Sequence, residues 1–274
     1  MSEIIKDLKT LHRTYGPKDF IEVDVGNALN SFRGYFNPNF RGIPSWKKET
    51  VVKLVQLMNE HYANALAKGD KISEDVSEAF KNTAGVYADL KAIYALSALL
   101  MKINERDTRK VLSLHRRLSV FMEEANELME TVVDRLSESS NGTLENDEIK
   151  NHMRFSKAKE LEKDIGMLDE KLDKDMEITR GAYKVLKQVI DALKSSYKEA
   201  LANAVYAYDL SESGDLAALL YTVEAYANFK AMASLYALLN GQGYSCKALE
   251  DDLRSVLQDA QAIFTMTVDL KKDL

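Results

Sequence analysis

Two fourteen-residue stretches decide how this sequence is organised: YADLKAIYALSALL at residues 87–100 and YANFKAMASLYALL at residues 226–239. Eight of the fourteen positions are identical, including Tyr87 with Tyr226 and Lys91 with Lys230. Both stretches are apolar nearly all round, which predicts helices at the centre of a bundle. The match predicts that the chain holds two diverged copies of one helical unit.

The similarity continues on both sides of these central helices. Upstream, YANALA at residues 62–67 aligns with YKEALA at 197–202; downstream, Leu114 and Leu118 align with Leu253 and Leu257. Each copy is predicted to be a three-helix unit, at 45–137 and 180–274, because repeated units bury a face that one unit cannot bury alone. The most buried residues should then include the leucines of the central helices, Leu96, Leu99, Leu235 and Leu238.

Residues 138–179 are predicted to join the units through a linker, SESSNGT at 137–143, and a long charged helix. Leucine and isoleucine recur at positions 161, 165, 168 and 172, and apolar residues recur with the same spacing at 186, 190, 193 and 197. This pattern is typical of one narrow seam on a coiled-coil-like helix. The seam could also lie on two collinear helices that break near Gly166 or Gly181.

Residues 1–44 differ in composition from the rest of the chain. They are predicted to form a short helix followed by an irregular, aromatic-rich arm. The arm repeats Phe-Arg-Gly on either side of Pro38. Aromatic and arginine side chains are common anchors of protein interfaces. The predicted partner-binding residues are therefore Phe32, Arg33, Phe36, Phe40 and Arg41.

The composition predicts an all-α protein, because 3 prolines and 12 glycines in 274 residues are too few turn formers for a multi-stranded sheet. A net charge of −6 argues against a nucleic-acid partner. No run of about 18 uncharged apolar residues predicts a membrane helix. The charged start lacks a signal-peptide core, so a cytoplasmic location is expected.

Signatures of chemistry are sparse. None of the four histidines follows a glutamate by three residues, the spacing that carboxylate-bridged di-iron bundles use. We therefore expect no metal and no cofactor. The sequence favours a non-enzymatic binding or scaffolding protein that acts through a protein partner or through self-association as a homo-oligomer.

An alternative function rests on Arg109 and His115. Their Arg-x5-His spacing resembles the short motif of helical HEPN-type ribonucleases, and this resemblance implies cleavage of RNA with these two residues at the catalytic centre. On a regular helix the two side chains would point about 240° apart. A solvated basic face explains the surrounding cluster of arginines more simply.

The matched pair Lys91 and Lys230 is a candidate for two related anion-binding sites, since each lysine follows a tyrosine by one helical turn. The simpler interpretation is that each lysine extends from a buried helix toward water over an aromatic stem.

Overall fold

The computed structural model describes residues 45–72, 75–103, 108–139, 144 and 146–269. These residues form eight α-helices and no strand, so the predicted all-α class is confirmed for this part of the chain. In chain order the helices are α1 (Ser45–Gly69), α2 (Val76–Ile103), α3 (Thr108–Ser139), α4 (Asp147–Met153), α5 (Glu160–Asp173), α6 (Arg180–Glu212), α7 (Ala218–Gly241) and α8 (Lys247–Asp269). The predicted arm at 1–44, with its five partner-binding residues, lies outside the described residues.

Local sequence explains where several helices begin and end. The side-chain oxygen of Asn146 accepts hydrogen bonds from the backbone N–H groups of Glu148 and Ile149, and so caps α4. Thr179 caps α6 in the same way. After α6, Gly214 adopts a φ of +77°, a left-handed conformation that commonly ends a helix.

The two central helices of the sequence match, α2 and α7, form the core and pack against each other. All four predicted core leucines are at most 2% exposed, which confirms that expectation. By length and composition α2 could also cross a membrane, but 72% of its most apolar window is buried inside the bundle. Burial against the neighbouring helices accounts for its apolar surface.

The helices around this pair are arranged reciprocally. Helices α1 and α3 flank α2, while α6 and α8 flank α7. Across the pair, α1 also contacts α7 as α6 contacts α2, and α3 contacts α7 as α8 contacts α2. Each of these contacts between the two halves therefore has a counterpart with the halves exchanged.

Between the halves, the structure departs from the predicted coiled-coil-like helix. The segment forms three separate helices, and the chain reverses between α5 and α6 instead of continuing collinearly. Asp169 accepts from Lys187 and Lys194, and Asp173 pairs with Lys187 and Tyr183, so α5 and α6 run antiparallel. The two predicted seams are both buried. A hairpin lets each seam cover the other, which a collinear helix would not.

The turn after α4 places an aromatic side chain in the core. Phe155 has a φ of +42°, a left-handed conformation that is uncommon for a bulky residue. Its ring is 1% exposed and its centroid lies 5.7 Å from that of Phe229 on α7. Aromatic burial of this extent is sufficient to offset the cost of one strained backbone conformation.

Candidate functional site

A buried ion network joins α1, α2 and α7 around Asp89, whose side chain is 0% exposed. Lys68 on α1 approaches one carboxylate oxygen of Asp89, with Nζ 2.6 Å from Oδ2. The other oxygen, Oδ1, pairs with Lys230 on α7 and lies 2.7 Å from Nδ1 of His61. The opposite ring nitrogen of His61 lies 2.6 Å from Oγ of Ser234. These five residues are called the Asp89 network below.

The Asp89 network carries more positive than negative charge, because two lysines share one carboxylate. Burial alone would raise the pKa of Asp89, but the hydrogen bond from His61 and the charges of Lys230 and Lys68 outweigh it and lower that pKa. Burial lowers the pKa of Lys230 to about 8, and the neighbouring charge of Lys68 acts in the same direction. The arrangement therefore holds Asp89 ionised and leaves Lys230 the more easily deprotonated lysine.

A close helix contact makes room for Lys68. Its side chain crosses α2 at Gly85, where an added Cβ would lie 2.6 Å from the Cδ of Lys68. The absence of a side chain at this position leaves space for the lysine to pass α2 on its way to Asp89. The mid-helix glycine is thus explained by the ion network, since glycine otherwise weakens a helix interior.

The order Ser234, His61, Asp89 has the connectivity of a serine–histidine–aspartate triad. Three observations favour a structural role. The Ser234 hydroxyl has a second acceptor in the carbonyl oxygen of Lys230, 3.1 Å away; Asp89 is shared with two lysines; and Ser234 is only 5% exposed. A buried hydroxyl without access for a substrate cannot act as a nucleophile. We interpret the network as a set of buried polar contacts that holds the two halves together.

A cavity of about 580 Å³ lies between α2, α3, α6 and α7. Its polar lining includes Tyr87, Lys91, Ser196, Glu199, Glu224 and Asn228, and its apolar lining includes Ala95, Ala98, Leu99, Met122, Ala192 and Ala231. The carboxylate of Glu199 is 55% exposed, so the cavity opens to solvent on that side. We call this space the central cavity.

Charged groups meet on one wall of the central cavity. The ammonium group of Lys91 lies 3.4 Å from Oε2 of Glu199 and 3.8 Å from Oε2 of Glu224. The Tyr87 hydroxyl donates to Glu224. Burial, followed by the charges of Glu224 and Glu199, raises the pKa of Tyr87 far above its ordinary value. The hydroxyl therefore keeps its proton and acts as a donor.

The structure places the predicted pair Lys91 and Lys230 in two different settings. Lys230 belongs to the Asp89 network, and Lys91 lines the central cavity. Both ammonium groups already face carboxylates, so an anion would have to displace these partners. Their anion-binding role stays a prediction.

Helix α3 carries the other predicted pair, Arg109 and His115. The His115 ring stacks on Tyr94 with centroids 3.9 Å apart, and its Nδ1 lies 2.9 Å from Oγ of Ser97. Burial lowers the pKa of His115, which favours the neutral ring. The Arg109 side chain lies outside the described residues, so the meeting of the two groups and the ribonuclease activity stay predictions.

Sequence reasoning singled out Lys230 but missed His61, Asp89 and Ser234. Their partners are distant along the chain: 28 residues separate His61 from Asp89, and 173 separate it from Ser234. One usable signal was present, because Asp89 is a charge within an otherwise apolar helix. Such a charge requires a buried partner.

In the part of the chain that the structure describes, no group of three or more histidine, cysteine, aspartate or glutamate side chains could hold a metal ion. Comparisons with protein-family models, with curated proteins and with solved structures found no match to this chain.

Proposed function

We propose that this chain is a non-enzymatic helical binding protein that takes a small organic molecule into the central cavity. The observation that carries the proposal is the cavity itself. Its volume of about 580 Å³ falls within the range of roughly 300–1,000 Å³ typical of small-molecule sites. Its lining combines an alanine-rich apolar floor with polar and charged groups in about equal measure.

The chemistry of the lining supports binding more than catalysis. The described residues that line the central cavity include no histidine and no cysteine, the side chains that most often transfer protons or attack substrates near neutral pH. The raised pKa of Tyr87 keeps its hydroxyl protonated near neutral pH, so it is not available as a general base. The polar side chains of the wall can bind a ligand through hydrogen bonds and through their charges.

Replacing Ala192 with leucine should abolish binding in the central cavity. The larger side chain would project from α6 into the space that a ligand needs. We expect small organic compounds that give saturation-transfer NMR signals with the wild-type protein to lose these signals with Ala192→Leu. The control is Ala202→Leu, the same change at an exposed position of the same helix. If the same compounds bind all three proteins equally, the central cavity is not the binding site.

We also infer that the two halves are diverged copies of one three-helix unit, at 45–137 and 180–274. The fourteen-residue sequence match supports this, and so does the reciprocal contact pattern around α2 and α7. Tyr87 and Tyr226 are both buried on these helices. Exchange of equivalent contacts between halves is the pattern expected of an internal twofold arrangement.

Association with a protein partner, or with a second copy of the chain, is the further part of this proposal and rests on the sequence of the arm. Phe40→Ala should weaken self-association, measured by light scattering coupled to size exclusion, and should leave the melting temperature nearly unchanged. The physical reason is that interface aromatics contribute to binding more than to the stability of the fold. A lower melting temperature with intact association would instead assign Phe40 a structural role.

A further inference from the structure

The sequence alignment of the two halves maps the Asp89 network onto the central cavity. Lys230 of the network aligns with Lys91 of the cavity, and Asp89 aligns with Asn228, which also lines the cavity. Tyr226, whose ring centroid lies 5.9 Å from the ammonium group of Lys230, aligns with Tyr87. Each set lies between α2 and α7. The network and the central cavity are thus two versions of one site, related by exchange of the halves.

The two versions differ in the size of the residues around them. On the side of the network, Leu57 and His61 on α1 are buried against the core. The aligned residues on α6 are Ala192 and Ser196, both of which line the cavity. On α8, the ring of Phe264 packs edge-on against that of Tyr226, with the two ring centroids 5.3 Å apart. The residue of α3 that aligns with Phe264 is Ala125. Three large side chains on the side of the network thus have small counterparts, and two of these, Ala192 and Ser196, line the cavity.

On the side of the Asp89 network, the space between α2 and α7 is filled by side chains, and we call this the filled version; the central cavity is the open version. The side chains of the filled version indicate which chemical groups the space accepts. Its occupants are the primary ammonium group of Lys68 and the imidazole of His61, both from α1. In the open version the residue aligned with Lys68 is Asn203, which supplies no cation. The open site therefore lacks the basic groups of Lys68 and His61. It also has the amide of Asn228 in place of the Asp89 carboxylate, so its carboxylates come instead from Glu199 and Glu224.

The charges that line the central cavity point to the same ligand chemistry. Glu123, Glu199 and Glu224 contribute three carboxylates, while Lys91 and Lys102 contribute two ammonium groups. One negative charge is left in excess. Within a partly desolvated cavity, an unbalanced carboxylate is stabilised by a cationic guest. A carboxylate-bearing guest would increase the imbalance.

We propose, building on the binding function above, that the central cavity takes a small organic cation with a primary ammonium group. The ammonium group lies at the wall formed by Glu199 and Glu224, where it shares the two carboxylates with the single ammonium group of Lys91 and lies within reach of the electron-rich face of Tyr87. The apolar part of the ligand rests on the alanine-rich floor around Ala95 and Ala192. The ligand thereby takes the place that Lys68 and His61 occupy in the other half.

Three fluorescent probes that share one dansyl group and one five-carbon chain test this proposal. Dansylcadaverine ends in an ammonium group, a second probe ends in a methyl group, and a third ends in a carboxylate. Titration by fluorescence should show the ammonium probe binding about tenfold or more tightly than the methyl probe, and the carboxylate probe binding weakest. Glu224→Gln and Glu199→Gln should each remove most of this preference.

The controls separate a failure of the cation proposal from a failure of the binding function. Glu212→Gln removes an exposed carboxylate from the same helix as Glu199 and should leave the preference intact. Glu199→Gln changes a largely exposed side chain, so it tests the charge even if Glu224→Gln disturbs folding. Two results would overturn the cation proposal alone. In the first, Ala192→Leu blocks binding but the three probes bind with equal affinity; in the second, the carboxylate probe binds most tightly. Probe binding that Ala192→Leu leaves unchanged would overturn the cavity as a binding site.

Discussion

Asp89→Ala should lower the free energy of unfolding by about 3–5 kcal/mol, the usual cost of removing one partner from a buried ion pair. The substitution leaves the ammonium groups of Lys68 and Lys230 facing each other without a carboxylate between them. Urea denaturation at neutral pH measures the change. Asp209→Ala, at an exposed position of α6, should cost less than about 0.5 kcal/mol. Equal small costs at both sites would show that the network does not stabilise the fold.

The effect of Asp89→Ala should also depend on pH. The pKa of Asp89 is lower in the folded protein than its ordinary value, so the folded state binds its proton less readily than the unfolded state does. The stabilisation is therefore complete above the unfolded aspartate value of about 4, and it is lost as pH falls through the lowered folded value. The gap between wild type and variant should narrow in acid.

Phe229→Ala should lower the free energy of unfolding by about 3–5 kcal/mol, as large-to-small changes of buried aromatic residues do. The ring is fully buried in α7 and packs against the buried ring of Phe155, whose backbone is left-handed. Urea denaturation gives the change in unfolding free energy. Tyr221→Ala removes an aromatic ring from a partly exposed position of the same helix and should cost much less. A similar cost for the two variants would mean that the Phe155–Phe229 contact is not part of the stabilising core.

The helices and their buried faces could be predicted because both follow from local spacing. An apolar residue every three or four positions defines a helix face wherever that face is later buried. The seam through Leu161 and Leu172 is an example, since its residues are buried as expected. The direction of the next helix is not encoded in this spacing. The turn between α5 and α6, KDMEIT, contains neither glycine nor proline, so the reversal left no clear signal.

The functional candidates were harder to predict because they depend on partners from distant segments. Lys230 was recognisable as an unusual charge, but its partner Asp89 lies on a helix of the other half. The central cavity follows from small residues such as Ala192 and Ser196 at positions that hold large residues in the first half. Alanine is common in helices, so an alanine in the sequence does not indicate a cavity unless the helices that face it are known.

The ion pairs between the halves also bear on how the chain folds. The first half contains Asp89 together with His61 and Lys68, but the carboxylates that face its Lys91 are Glu199 and Glu224 of the second half. The second half in turn buries Lys230, whose partner Asp89 lies in the first half. Each half therefore places a lysine against carboxylates of the other. During synthesis we expect neither half to gain its full stability until the two have docked.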